Sequence, residues 1–397
     1  MTEPGPARLR SRTPTAEEFV DRARAIVPQI RMRAGEAERL RTLPDDMMDV
    51  VREAGLLHAF IPERYGGYNL NWGPQIAAGR AVARGCASTA WLVSVVGSHA
   101  GYVGRMSEAA QDDVWGGGEG VLICTGAVPI GVEVRRTAGG FRVSGQWAFC
   151  SGVDHSAWAL LRGTPVGEED GPQHYMLFPR EDFSIVDDWF VSGMRATGSK
   201  SVRLEDAFVP EYRTLALPEL FAMHPPGSKV SKGPVYSYSF RAYAGSALMG
   251  PIIGAAEAAF DLFIEGLKES GKDLADPYVQ MLVGETDAEV RAAGQLLDNV
   301  LKTQAHYATR MLPVPMEHRV AFVRDRAFAC RLSLRALDRM AGQADLQQSL
   351  SDTPLQRYHR DIYAMCQQIG INWDRNMTNV ARQILGLKTD IPYLNEA

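Results

Sequence analysis

No CxxC pair occurs among the five cysteines of this chain, Cys86, Cys124, Cys150, Cys330 and Cys366, which are odd in number and widely scattered. That spacing argues against a disulfide framework and against a zinc site, and a reducing cytoplasm fits it best. Basic runs are short and the formal net charge is -5, so there is no electrostatic footprint for nucleic acid. The longest apolar stretch, residues 87–102, is interrupted by Ser94, Gly97 and His99 and falls short of a membrane span. No apolar segment follows Arg8, Arg10 and Arg12, which speaks against a signal peptide. Also missing is a glycine-rich dinucleotide fingerprint after a strand, so any NAD(P)H is oxidised on another protein. Neither an internal repeat nor a low-complexity tract is present.

With 397 residues, 46% of them hydrophobic and 22% charged, the composition is that of a soluble globular protein too long for one ordinary core. From residue 15 to about 118, apolar residues recur at helical spacing: Phe19, Ala23, Ile26, Val27 and Ile30, then Met47, Met48, Val51 and Leu56. Pro62 and the pair Gly66 and Gly67 break this pattern and predict a turn between helices. Short apolar runs at 121–128, 141–149, 157–162, 174–178 and 200–208 predict an antiparallel sandwich or barrel. The stretch 215–232, with Pro218, Pro225, Pro226 and Gly227, reads as a linker. Helical periodicity then returns at 244–267, 276–306, 318–344 and 352–372, which suggests a bundle. Asp276 before Pro277 marks the start of its second helix. The expected domains are therefore 1–118, helical; 119–214, β; 215–232, a linker; and 233–397, a C-terminal four-helix bundle. The face formed by 244–259 is apolar enough to suggest burial between subunits.

One run stands out: Gly145, Gln146, Trp147, Ala148, Phe149, Cys150, Ser151, Gly152, Val153, Asp154 and His155. Its strand-like alternation of apolar and aromatic residues ends on a compact polar cluster, which is how a sheet delivers polar groups to the lip of an apolar pocket. Strand geometry places Trp147, Phe149 and Ser151 on one face. Asp154 and His155, being adjacent, point to opposite faces and do not readily form a relay. They are assigned to the turn that presents Ser151.

Three motifs occur in series: Ile61-Pro62-Glu63-Arg64-Tyr65-Gly66-Gly67, Thr125-Gly126-Ala127-Val128-Pro129, and Gly193-Met194-Arg195-Ala196-Thr197-Gly198-Ser199 followed by 202–210. Set on a helical, β, helical plan, they resemble the acyl-CoA dehydrogenase superfamily over nearly the whole chain. The resemblance implies an α+β fold of the acyl-CoA dehydrogenase type: a helical N-terminal domain, a β-sandwich or barrel with flavin-facing strands, and a C-terminal four-helix bundle. It also implies a homotetramer. A dehydrogenase of this family needs a carboxylate base, typically Glu, to take the α-proton of an acyl thioester. One family position for it, just before an Arg early in the bundle, holds Phe240 ahead of Arg241. The other lies before the last helix, where no Glu occurs between Glu317 and Glu396 and Asp374 offers the nearby carboxylate. The Trp147 to His155 cluster, and Ser88-Thr89-Ala90-Trp91 through His99, are more similar to the two-component flavin monooxygenases built on this fold.

That resemblance implies the oxygenase component of a two-component system. It would hydroxylate an aromatic small molecule, polycyclic or heteroaromatic and phenolic or indolic, through a flavin C4a-hydroperoxide. Reduced FAD or FMN would come from a separate NAD(P)H:flavin reductase, with O2 as cosubstrate. Ser151 stands where the family's hydroxyl meets flavin N5, or else is a strand-end serine capping a turn. Phe149 is expected against the isoalloxazine with Trp147 beside it, although aromatic residues at period two also fill sandwich cores. Thr125 and Gly126 are expected at the flavin pyrimidine edge, positions that a plain strand would fill with the same residues. His99 is expected to take a phenol or indole proton, or else to be a satisfied core histidine. Arg241 is a candidate for flavin or phosphate contact, or for a salt bridge within the bundle. Trp91, Phe240, Tyr243 and Gln368 are candidate substrate-pocket residues, with Phe221, Tyr236 and Tyr238 as further wall residues. Many relatives carry His where Gln368 stands, and Gln keeps the hydrogen bonding without proton uptake. No metal is expected. An acyl-CoA dehydrogenase-type flavoenzyme, an N-oxygenase of an amine or amino sugar, and an inactive flavin-binding scaffold remain as alternatives.

Overall fold

The computed structural model describes residues 13–117, 120–126, 128–237, 240–343 and 353–395. Arg8, Arg10, Arg12, Gly118, Ala127, Tyr238, Ala344 and Asp352 lie outside the described residues.

Thr15 opens the first helix through a capping box, accepting from the Glu18 amide while the Glu18 side chain accepts from its own N–H. Helices α1 (Ala16–Ala25), α2 (Val27–Leu40) and α3 (Asp45–Glu53) bury the periodic residues Phe19, Ala23, Ile30, Met47, Met48 and Val51. The turn at 61–67 is present, closed by Gly66 at φ +81°. After α4 (Trp72–Ala83) comes an irregular helix: α5 (Ala87–Trp91), a π turn at Leu92–Val96, a 3-10 turn at Gly97–His99, and α6 (Ala100–Val103). One side chain from outside reaches its ladder here, and one of its own reaches out. The Gln75 amide donates to Val93 O, and Ser94 Oγ donates to Ala247 O at 2.8 Å, which accounts for the local rewinding. Helix α7 (Glu108–Trp115) completes the N-terminal part.

Strands β1 (Leu122–Gly126), β2 (Val128–Thr137), β3 (Gly140–Ala148), β4 (Ser156–Gly163), β5 (His174–Pro179), β6 (Ser184–Val186), β7 (Ser201–Pro210) and β8 (Thr214–Ala216) follow. They form two four-stranded sheets, ordered β1-β4-β5-β8 and β2-β3-β7-β6. The expected wholly antiparallel pairing is corrected at one edge. β1 runs parallel to β4, with Cys124 opposite Ala159, because the β2–β3 hairpin carries the chain into the other sheet and back. β2 escaped the sequence pattern because Val134 is its one fully buried residue, so Glu133, Arg135 and Arg136 mask its alternation. Between the sheets lies a core of its own, including Cys124, Phe141, Trp147, Leu161, Phe178 and Leu204.

The short α8 (Leu217–Leu220) lies in the linker, and α9 (Phe240–Ala244), α10 (Met249–Glu269), α11 (Pro277–Thr309), α12 (Met316–Ala341), α13 (Pro354–Met365) and α14 (Trp373–Ile384) form the C-terminal part. Asp276 caps α11 by accepting from the Tyr278 amide, with Pro277 in the first turn. The fourth expected helix ends early, and α14 starts afresh behind the Asn372 cap. The 244–259 face is also not left for a partner subunit. A Cβ on Gly250 would come within 2.4 Å of Ile76 O, and one on Gly254 within 2.1 Å of Arg80 O. The backbones of α10 and α4 therefore touch, and Ala255, Ala256, Ala258 and Ala259 are buried within the protomer. Residues 240–269 are long and apolar enough to cross a membrane, yet most are buried in this core.

Arg105 fastens the linker to the N-terminal helices. Its buried guanidinium donates to Leu220 O at 2.6 Å, to Val235 O at 2.8 Å and to Ala222 O, 5.4 Å from the centre of the Phe240 ring. Burial pulls its pKa down to about 9, so it stays charged at neutral pH.

Candidate functional site

His99 ends the 3-10 turn that follows the π turn, and it is 8% exposed. Its Nδ1 lies 2.8 Å from Ile123 O, and its Nε2 lies 3.4 Å from Thr125 Oγ1. A carbonyl only accepts, so Nδ1 carries the proton and Nε2 presents a lone pair, towards which the Thr125 hydroxyl donates. Desolvation lowers the imidazole pKa to about 4, against a smaller upward pull from the Ile123 carbonyl. The ring is therefore neutral at pH 7. Two residues singled out separately in the sequence, His99 and Thr125, are thus brought together along the edge strand β1.

Ser151 is not on the Phe149 face of a strand. β3 stops at Ala148, Phe149 takes the left-handed region at φ +62°, and Ser151 sits in the turn beyond. Phe149 is 60% exposed, with the edge of Trp189 6.0 Å away between ring centres. Trp147 is fully buried in the sandwich core, its indole N–H donating to Arg162 O at 2.8 Å. Trp147 is therefore a core residue and not, as the alternation predicts, a neighbour of the flavin; the reversal at Phe149 parts the two rings. Gly126 answers to the same packing, since a Cβ there would lie 2.5 Å from Trp147 Cβ. Asp154 pairs with Lys200 at 2.8 Å, while His155 Nε2 donates to Leu43 O at 2.7 Å. These bonds tie down the turn carrying Ser151.

Three residues not picked out as site members, Ser199, Thr197 and Asp361, complete the arrangement. Ser151 Oγ lies 2.7 Å from Ser199 Oγ, which lies 2.6 Å from Thr197 Oγ1, which donates to Met194 O at 2.8 Å. Met194 is itself left-handed at φ +59°, and its N–H donates to the buried Asp361 of α13 at 2.6 Å. Burial raises the Asp361 pKa to about 6, only partly offset by the Met194 amide. The sequence signal was the Thr197-Gly198-Ser199 stretch and a lone Asp within the apolar face of a helix.

Around His99 stands an aromatic wall. Tyr102 lies 6.0 Å from the imidazole, 4.6 Å from Phe240, 5.6 Å from Tyr175 and 6.3 Å from Phe221, measured between ring centres. Arg241 stacks over Phe221 at 4.1 Å. Phe240 and Tyr243 also line a narrow cleft with Asn71, Trp72, Pro234, Val235 and Ala308. That cleft does not include His99 or Ser151, so the bonded groups rather than the cleft define the site. Trp91 is buried at the end of α5, which packs on the turn at Arg195–Thr197. The Gln368 side chain is engaged locally, accepting from the Gly370 amide. Tyr236 is buried with its hydroxyl donating to Phe60 O at 2.8 Å. Among the described residues no cluster of His, Cys, Asp and Glu could hold a metal.

These residues fit a flavin. An uncovered aromatic ring at the lip, a serine hydroxyl heading an anchored chain of hydroxyls, and an edge strand bearing Thr125 together offer a flat apolar surface and polar atoms for a ring edge.

Residues 13–116 match the acyl-CoA dehydrogenase N-terminal domain family, and residues 246–373 match the acyl-CoA dehydrogenase C-terminal domain family. The chain is 33% identical over 356 residues to HsaA, the oxygenase subunit of a flavin-dependent monooxygenase from Rhodococcus jostii, covering 87% of this chain and 92% of that one. It is 28% identical over 390 residues to the oxygenase component of an FADH2-dependent resorcinol hydroxylase from a Rhizobium species, covering 93% and 94%. The crystal structure of 3-HSA hydroxylase from Rhodococcus sp. RHA1 is similar at a TM-score of 0.88 and 31% identity, covering 94% of this chain and 98% of that one.

Proposed function

Given that the chain belongs to the acyl-CoA dehydrogenase superfamily, among its flavin-dependent monooxygenase oxygenase components, we propose that it hydroxylates a phenolic or indolic compound of polycyclic or heteroaromatic type at a site formed by His99, Thr125, Phe149 and Ser151. It is an oxidoreductase that uses O2 and reduced flavin, and a separate flavin reductase supplies the latter. When bound, the reduced flavin provides the electrons that activate oxygen. The chain's own residues bind, orient and exclude water.

The observation that carries this reading is the His99 geometry. With Nδ1–H fixed on Ile123 O, Nε2 is a neutral acceptor beside an aromatic wall, held by the Thr125 hydroxyl only at 3.4 Å, so that a ring bearing an O–H or N–H would take Thr125's place on it. Magnitude decides how it acts. Full transfer from a phenol of ordinary pKa near 10 to an imidazole at about 4 is uphill by about 8 kcal/mol. His99 therefore orients and polarises the hydroxyl by accepting its hydrogen bond, and the proton leaves only as positive charge builds in the ring. Ser151 and Phe149 hold the flavin edge and face, with Thr125 on the adjoining strand. Trp91, Phe240 and Tyr243 supply apolar wall, Arg241 a cation near it, and Gln368 a neutral polar group. The dehydrogenase alternative is disfavoured because Phe240 is buried where one base would stand and Asp374 is exposed in the first turn of α14.

A tetramer is part of the proposal, supported by the exposed Ile369, Ile384 and Leu385 around α13 and α14; sedimentation as a monomer would remove it. Mixing photoreduced protein and flavin with oxygen in the presence of phenols and indoles tests the reaction. Hydroxylated product is expected. Bleaching of oxidised flavin by an acyl-CoA thioester under anaerobic conditions would instead establish the dehydrogenase.

A further inference from the structure

The donor direction along the hydroxyl chain is fixed by its far end. Met194 O cannot donate, so the Thr197 hydroxyl hydrogen lies on it. At 2.6 Å from Ser199 Oγ, Thr197 must then accept, and Ser199 donates to it. Ser199 has no second hydrogen, so at 2.7 Å it accepts from Ser151. The Ser151 hydrogen thus points into the protein and its free lone pairs point away from the chain. Thr197 is 1% and Ser199 5% exposed, so water does not compete for these bonds, and Trp189 Nε1 at 3.1 Å and the Asp361 bond hold Met194 in place.

We infer that Thr197 is a positioning residue which, through Ser199, makes Ser151 a hydrogen-bond acceptor, so that the site favours a flavin whose N5 carries hydrogen over one whose N5 is bare. The inference rests on the reading that Ser151 meets flavin N5. A reduced flavin presents N5–H as a donor, which Ser151 accepts. An oxidised flavin presents a lone pair, which would face another lone pair unless the whole chain reverses, and reversal leaves Met194 O without its hydroxyl donor. The site therefore retains the flavin state that reacts with oxygen and releases the spent one for exchange with the reductase.

The test compares Kd for oxidised FAD with Kd for photoreduced FAD under anaerobic conditions, in the wild type and in Thr197→Val, Thr197→Ser, Ser199→Ala and Ser151→Ala. The wild type is expected to prefer reduced FAD by at least about tenfold. Thr197→Val and Ser199→Ala free the Ser151 hydroxyl to donate, so the oxidised form binds tighter, the reduced form weaker, and the preference falls by about tenfold. That change corresponds to about 30 mV in the two-electron potential of bound FAD. Thr197→Ser keeps the donor and should keep the wild-type ratio. Thr197→Val added to Ser151→Ala should change nothing further. Equal weakening of both states in Thr197→Val and Ser199→Ala, an effect that persists without Ser151, or a wild-type ratio near one overturns the inference while leaving the functional reading intact. Failure of the wild type to bind FAD in either state overturns both. If Thr197→Val does not fold, Ser199→Ala and Thr197→Ser decide the question.

Discussion

His99 Nδ1 donates to Ile123 O across 2.8 Å, and the same imidazole is kept neutral by burial down to about pH 4. In the unfolded chain it protonates near pH 6.5. The unfolded state therefore binds the extra proton between those values, and stability that is fully present above pH 6.5 is lost as pH falls towards 4, on the order of 3 kcal/mol. His99→Asn lacks this titration. The stability difference between wild type and variant, from urea melts at pH 7.5 and 4.5, is expected to shift against the wild type at the lower pH; a constant difference contradicts the assignment.

Ser151→Ala should still bind reduced flavin, with affinity lowered by no more than about tenfold for one lost hydrogen bond. Oxygen consumption then yields peroxide at the expense of product. Product formed per O2 consumed is the measurement, and a ratio equal to wild type removes Ser151 from the chemistry.

Trp147→Phe loses the bond to Arg162 O and some packing in the sandwich core. A loss of about 1–3 kcal/mol is expected, with flavin affinity unchanged. If affinity falls while the thermal midpoint holds, Trp147 belongs to the site after all.

Much of this was legible where local rules suffice. The Asp276–Pro277 start, the Pro62 to Gly67 turn and the helical, β, helical order follow from capping, turn chemistry and periodicity. Phe149 shows where such rules stop: aromatic residues seldom take φ near +62°, so the alternation running through Trp147 predicts strand as far as Ser151 although β3 stops at Ala148. The parallel β1–β4 pairing joins strands separated by a hairpin in the other sheet, which no local pattern encodes. Thr197 and Ser199 become site residues only when their turn folds against the one carrying Ser151, and Asp361 only when α13 meets the sandwich; their polar character alone reads as ordinary turn and helix chemistry. The apolar 244–259 face likewise predicts burial without saying that α4 of the same chain is the partner, against which Gly250 and Gly254 pack.

Asp361→Asn keeps an oxygen for the Met194 amide but removes a carboxyl held near pKa 6 by burial, with Glu38 adding to the upward push and Arg357 and Arg360 opposing it. Because its folded pKa lies above the unfolded value, the Asp361 contribution is full below pH 4 and lost as pH rises through 6, by about 3 kcal/mol. The Asn variant should therefore gain on the wild type between pH 5 and pH 8 in denaturation midpoint. Asp361→Leu leaves the Met194 N–H unpaired and should lose about 1–3 kcal/mol at every pH. Equal pH profiles for wild type and Asn would refute the titration.

Arg105→Met deprives Leu220 O, Ala222 O and Val235 O of their donor. Loss of more than about 3 kcal/mol is expected, with protease cleavage appearing first within 217–237. Arg105→Lys, reaching fewer of these oxygens, should fall between. Indifference of the linker to protease in both variants would show that other contacts hold it.

Helix α13 bolts three parts of the chain together. Asp361 takes the Met194 amide, Arg360 reaches Ser192 O at 2.7 Å and Glu38 at 2.5 Å, and Tyr358 donates to Arg84 O at 3.0 Å. A rigid-body hinge between bundle and sandwich would rupture the Met194 and Ser192 bonds in one step, and one between bundle and N-terminal helices the Glu38 and Arg84 bonds. Molecules therefore pass in and out by side-chain and linker breathing, and the Met194 amide should exchange its hydrogen with deuterated solvent only as slowly as the whole protein unfolds, while amides of 221–232 exchange far sooner.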